Sequence, residues 1–214
     1  MYSEIRQYTD THHVTLVAVS KTRTADQILA LYNLGQRDFG ENRVQELMDK
    51  KDALPSDIQW HLIGHLQKNK VRYIAPFISM IHSIDSPELL ETVDREAKKN
   101  QRTIDVLLQF YIASEETKYG MELSEAVSLL DSPRYKTLKN VRICGVMGMA
   151  TLTDDMDKVR QEFRHLRHIF NTLKKDYFAG SDHFSHISMG MSGDYRIAIE
   201  EGSTMVRIGT ALFN

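Results

Sequence analysis

Residues 188–210 read SMGMSGDYRIAIEEGSTMVRIGT. Ser192, Gly193 and Asp194 open a short helix, Gly202 closes it, a strand follows over 204–208, and a second small-residue turn comes at Gly209-Thr210. Two such turns side by side present backbone N–H groups and hydroxyls around one point. A helix N-terminus adds unpaired donors and a partial positive charge, so the arrangement suits a phosphate. The same residues also read as an ordinary helix cap followed by a strand end.

Outward from this stretch, strand-like and helix-like segments alternate to the other end of the chain. The apolar run VTLVAV (14–19) reads as a buried strand, and Thr24 to Gln27 has capping-box spacing for a helix that ends at Gly35. Further strands are expected over 37–39, 58–63, 78–84, 104–110, 141–147 and 184–187. The intervening helices start near Asn42, near Leu66, at Ser86-Pro87, near Leu123 and at Thr153-Asp154-Asp155. The segment before Val14 has room for a turn or two of helix. Eight strands with a helix after each imply a parallel sheet, and in 214 residues closure is the natural solution. The expected fold is α/β, a single (β/α)8 TIM-type barrel over residues 1–214; an open doubly wound sheet is the alternative.

The chain carries 27 basic and 29 acidic residues, a balance that gives no support to a nucleic-acid or membrane-surface partner. No apolar stretch is long enough to span a bilayer, and MYSEIRQYTD lacks the pattern of a signal peptide. Cys144 is the one cysteine, set in the apolar run VRICGVM. It reads as a buried structural thiol, and the chain as a cytoplasmic protein from a reducing compartment.

In a barrel of this kind the site lies at the C-terminal ends of the strands. Those positions give Ser20-Lys21, Gly40-Glu41-Asn42, Gly64-His65, His82-Ser83, Met147 and Met149, and Ser188, Ser192, Arg207, Gly209 and Thr210. Strand alternation puts Val17, Val19 and Lys21 on one face. If that face points inward, Lys21 is carried to the top of an apolar core, where desolvation favours the neutral amine that a carbonyl needs for a Schiff base. The other reading is a lysine that leaves the strand for water. The first strand of a closed barrel neighbours the eighth, so Lys21 and Arg207 can approach each other, and a phosphate ester bearing a carbonyl would fit both. Arg207 keeps its proton at any working pH, so a pyridine nitrogen facing it must stay an unprotonated acceptor and a weak electron sink. His61 and His65 straddle Gly64 at a strand end, and His165 and His168 share a helix with Arg164 and Arg167 as a solvated face. No HExxH, paired CxxC or clustered-carboxylate pattern appears, and no metal is expected.

These motifs stand in order along the chain: AVSK at 18–21, GENRVQE at 40–46, WHLIGHLQKNK at 60–70, HSID at 82–85, ETKYG at 116–120, GVMGMA at 145–150 and SMGMSGDYRIAIEEGSTMVRIGTALF at 188–213. From Val14 to Phe213 the sequence resembles the pyridoxal phosphate (PLP) homeostasis protein family, whose fold is that of the alanine racemase N-terminal domain. The resemblance implies a barrel that binds PLP, with Lys21 forming the internal aldimine. By the same resemblance Ser192, Gly209 and Thr210 would hold the phosphate, and Arg207 would face the pyridine nitrogen. Asn42 and His65 would line the cofactor and Met147 would pack on its ring. Family members carry PLP or regulate its balance, with apo-PLP enzymes as recipients, and nothing demands more than a monomer. Three departures are visible. Gln109-Phe110-Tyr111 lacks the asparagine that family members often place shortly after this glutamine, Gly148 leaves extra room in GVMGMA, and the N-terminal segment is short.

The expected function is therefore PLP binding and homeostasis without turnover. A PLP-dependent racemase is the alternative. Alanine racemases add a C-terminal β domain that brings a tyrosine base, whereas this chain ends at Asn214, directly after its last strand and turn. A Schiff-base aldolase acting on sugar phosphates is a third class.

Overall fold

The computed structural model describes residues 1–113 and 119–213. Residues 116–118 of the ETKYG motif and Asn214 lie outside the described residues. Eight parallel strands close in sequence order: β1 (Thr15–Val19), β2 (Asp38–Glu41), β3 (Gln59–Leu62), β4 (Met80–Ile84), β5 (Ile104–Gln109), β6 (Val141–Met147), β7 (His186–Ser188) and β8 (Met205–Ile208). β8 returns to β1 with Val17 opposite Arg207. The (β/α)8 expectation holds and the open sheet does not.

Around the barrel run α1 (Tyr2–Thr11), α2 (Ala25–Asn33), α3 (Val44–Lys51), α4 (Val71–Ile74), α5 (Pro87–Lys99), α6 (Leu123–Asp131), α7 (Met156–Asp176) and α8 (Tyr195–Glu200). The capping box forms as read, with Thr24 accepting from the Gln27 amide and Gln27 accepting from that of Thr24. Asp155 caps α7 by accepting from Lys158. Gly202 ends α8 at φ 95°, a left-handed turn that a Cβ would strain.

Burial follows strand alternation. Leu16, Ala18, Phe39, Trp60, Leu62 and Ile81 face outward and join the helices in the main apolar core. A smaller cluster of Val17, Met80, Leu107, Cys144, Met147 and Met205 fills the barrel interior. Cys144 is buried, and burial pushes its thiol up to about 12, so it is packing and not a nucleophile.

Three local expectations are corrected. The N-terminal segment forms a ten-residue helix, close to three turns, because Ile5 and Thr9 are buried at i, i+4 and Tyr8 packs edge-on against Tyr195 at 5.9 Å. The helix near Leu66 is a one-turn 3-10 segment (Lys68–Lys70) leading into the four-residue α4. Gly148 leaves no room: a Cβ there would lie 2.8 Å from Ile112 Cδ1 and 3.0 Å from Leu166 Cδ2.

Candidate functional site

A pocket of about 470 Å³ opens at the C-terminal ends of the strands, and Lys21, Asn42, His65, Ser192, Arg207, Gly209 and Thr210 all line it. Residues from both ends of the sequence meet there because β1 and β8 are neighbours. The volume is within the range of small-ligand sites. Met147 is the exception among the expected residues: it is fully buried in the barrel interior, and Met149, one residue pair further along the chain, reaches the pocket.

Lys21 sits on a fastened turn. β1 stops at Val19, and the Arg23 amide donates to the Ser20 carbonyl while Thr22 takes φ 62°. That left-handed conformation costs of order 1 kcal/mol for a β-branched residue and persists because neighbours impose it. The Thr22 amide donates to Glu46 Oε2 at 2.8 Å, which holds the Glu46 carboxyl below its usual range. Ser20 Oγ donates to Glu41 Oε1 at 2.7 Å, and Lys50 Nζ donates to Glu41 Oε1 and the Ser20 carbonyl, both at 2.9 Å. Burial pushes the Glu41 carboxyl up, with Lys50 and Ser20 pulling it back. The sequence leaves Lys21 either inward with Val17 and Val19 or off the strand toward water; in the structure β1 ends at Val19 and Lys21 is exposed while lining the pocket.

The two turns supply further lining, with Gly209 beside Val19 of β1. Asp194 is the N-cap of α8, but its carboxylate caps no residue of the helix; it accepts from the Met191 amide at 2.5 Å. This tightens 191–194 and leaves Ser192 exposed on the pocket. Burial pushes the Asp194 carboxyl up, opposed by the Met191 amide and the Arg207 charge. Gly209 and Thr210 follow β8 and lead into a one-turn 3-10 helix (Thr210–Leu212).

Arg207 lines the pocket with 3% of its surface exposed. Its Nη1 donates to Ser188 Oγ at 2.6 Å and its Nη2 to the Gly148 carbonyl at 3.0 Å. Burial pushes the guanidinium down to about 10, with Asp194 opposing, so it stays cationic at neutral pH. Below Ser188 the polar contacts continue inward through His82 and His61 to Asp38. His82 is fully buried and held well below the usual histidine range by that burial, with His61, Arg207 and His186 acting in the same direction.

Asn42 and His65 enter from the ends of β2 and β3. A Cβ on Gly64 would fall 2.3 Å from the Asn42 carbonyl oxygen, so only glycine lets the two loops cross this closely. His65 stacks on Tyr119 at 4.0 Å, and its Nδ1 lies 3.3 Å from Asp85 Oδ2. Gln109 also lines the pocket and donates from Nε2 to the Tyr119 carbonyl at 2.9 Å. Sequence reasoning passed over Gln109 as a lining residue, although it ends β5 on the same face as Leu107. Among the described residues no group of three or more His, Cys, Asp or Glu could hold a metal ion, and His165 and His168 are exposed on α7.

The sequence profile of the family described as "Alanine racemase, N-terminal domain" matches residues 2–214. The chain is 40% identical over 199 residues to the pyridoxal phosphate homeostasis protein of Aquifex aeolicus, covering 92% of this chain and 85% of that one. PipY of Synechococcus elongatus, solved without and with PLP bound, superposes with TM-scores of 0.90 and 0.86 at 35% and 34% identity, over the full length of both chains. An alanine racemase from Clostridium difficile shares the fold at TM-score 0.72 and 14% identity, over 94% of this chain and 52% of its own.

Proposed function

This chain belongs to the alanine racemase N-terminal-domain family, and from that premise we propose that it binds pyridoxal 5′-phosphate and serves PLP homeostasis without a reaction of its own. The observation that carries the reading is one pocket lined by Lys21, Arg207, Ser192, Gly209 and Thr210. The donor set fits the ligand. A primary amine suits the aldehyde, hydroxyls and amides at two turns suit the phosphate, and a guanidinium suits a ring nitrogen that accepts.

When bound, PLP supplies a reactive aldehyde and an electron-accepting ring. The protein's own groups set how far that chemistry goes. Lys21 holds the aldehyde end from its fastened turn. Ser192 and Thr210 donate to the phosphate end. Arg207, cationic and buried, keeps the ring nitrogen from gaining a proton, which limits electron withdrawal. His65, beside Asp85 and stacked on Tyr119, lines one side of the mouth. That combination favours retention over turnover, and the recipients would be apo-enzymes that use PLP, in the cytoplasm, from a single-domain monomer.

The test is a visible absorption spectrum of the purified full chain after addition of PLP, followed by borohydride reduction and peptide mass spectrometry. A yellow band and an adduct on Lys21 are expected, with no turnover of free alanine. An adduct on another lysine contradicts the Lys21 assignment, and alanine racemisation at ordinary enzyme rates contradicts the non-catalytic reading.

A further inference from the structure

A hydrogen-bonded chain of side chains crosses the barrel from its floor to the pocket. Its members come from β2, β3, β4, β7 and β8. Asp38 Oδ1 lies 3.1 Å from His61 Nε2, His61 Nδ1 lies 2.9 Å from His82 Nε2, and His82 Nδ1 lies 3.0 Å from Ser188 Oγ. Ser188 Oγ in turn accepts from Arg207 Nη1 at 2.6 Å. Asp38 stands at the N-terminal end of β2, beside a floor cleft lined by Arg6, Asp10 and His13, and its side chain is about one-third exposed. Arg207 stands at the pocket.

The two ends fix the direction of every bond between them. A carboxylate only accepts and a guanidinium only donates, while a neutral imidazole has one N–H and one lone pair. Asp38 therefore requires the hydrogen on His61 Nε2. His61 Nδ1 is then an acceptor, which requires the hydrogen on His82 Nε2. His82 Nδ1 is then an acceptor and takes the Ser188 hydroxyl hydrogen. Ser188 Oγ is left with lone pairs for Arg207. We infer that Asp38, His61, His82 and Ser188 are positioning residues for Arg207, joined in a one-way chain with both imidazoles neutral and protonated on Nε2.

The alternatives break a bond or bury a charge. With a proton added to His61, that ring donates at both nitrogens, His82 must turn to its Nδ1–H form, and the Ser188 hydrogen loses its place in the chain. A cationic His82 would be fully buried and would face Arg207, His61 and His186. The fixed chain has a consequence at the pocket. Ser188 offers its lone pairs to Arg207, and the Gly148 carbonyl takes a second donor, so the guanidinium plane is held at two points. The effect on the bound ligand rests on the PLP reading; the tautomers do not.

The experiment uses the full chain without added cofactor, with 15N-labelled histidine, at pH 7.5. Two-bond 1H–15N correlation is expected to show His61 and His82 as neutral Nε2–H rings. An Nδ1–H ring or an imidazolium at either position overturns the chain. Asp38→Ala removes the accepting end at the floor, far from the pocket. It is expected to give mixed tautomers at both histidines and to raise the PLP dissociation constant about fivefold, the scale of coupling between distant sites. Asp38→Asn, whose amide oxygen still accepts, is expected to restore both readouts. Unchanged tautomers or unchanged PLP affinity in Asp38→Ala overturns the positioning role. A wild-type chain with the expected tautomers that takes up no PLP counts against the PLP reading alone.

Discussion

The pocket wall and the interior beneath it use polar groups in opposite ways. On the wall, Lys21, Ser192 and Thr210 are exposed, and local turns present them: 20–23 for the lysine, 191–194 for the serine, 209–212 for the threonine. In the interior, His82, Ser188 and Arg207 are buried, and each finds its partner on another strand. A wall residue changed to alanine loses a ligand contact and exposes nothing. An interior residue changed to alanine leaves its neighbours unpaired in a low-dielectric space, which costs stability. The wall is built for function at little structural cost, whereas the interior ties function to the fold.

Lys21→Ala gives the largest effect and the sharpest break in that contrast. Borohydride is expected to fix no cofactor to the protein, an all-or-none loss read by intact mass. Weak binding through the phosphate end is expected to survive, and the unfolding free energy from urea titration is expected to stay within about 0.5 kcal/mol of wild type, as for other exposed positions. A large loss of stability would show that Lys21 belongs with the interior group.

His82→Ala tests the other half. It leaves a cavity and strips partners from His61 and Ser188, so a loss of about 3–5 kcal/mol is expected in urea unfolding. A loss under about 1 kcal/mol would mean the interior network carries little of the fold.

Ser192→Ala comes next. It is expected to weaken PLP retention by about 1–3 kcal/mol, the scale of a lost charge-assisted hydrogen bond, with stability unchanged. Fluorescence titration of the cofactor reads it, and an unchanged dissociation constant removes Ser192 from the phosphate end.

The same contrast governs what could be read from the amino-acid order. The wall was legible, because its features are local: the Ser192-Gly193-Asp194 turn, the Gly209-Thr210 turn and the Thr24–Gln27 capping box each lie within a few residues. β6 over 141–147 was legible as one apolar run. The interior chain was not, because Asp38, His61, His82, Ser188 and Arg207 are spread over 170 positions and meet only when the barrel closes. His61 and His82 were seen as strand-end residues, but nothing local pairs them. Met147 and Met149 both stand at the end of β6 in the sequence, and periodicity gives the face of a residue but not its height; one residue pair, about 7 Å along a strand, separates the buried Met147 from the pocket-lining Met149. The N-terminal helix was underread because YSEIRQYTDT offers little apolar surface; Tyr195, far away in sequence, supplies the packing partner.

The smallest effect is a slope, and it separates the two regions by pH alone. Burial holds the folded-state pKa of His82 well below the usual histidine value, and that of His186 below it as well. At these two positions the unfolded chain therefore binds more protons than the folded one once pH falls below about 6.5, and their contribution to stability drops as pH falls. Each such histidine contributes up to about 1.4 kcal/mol per pH unit until its folded form also protonates. Urea midpoints taken from pH 7.5 down to 5 in wild type are expected to carry this histidine loss, set against the opposite contribution of the raised Glu41 and Asp194 carboxyls. With His82→Phe, which keeps an apolar ring in place of the imidazole, the slope is expected to be shallower by one histidine's share. An equal slope in both proteins would mean that His82 is not the group that charges on unfolding, and the acid sensitivity would then belong to His186, beside Asp105, instead.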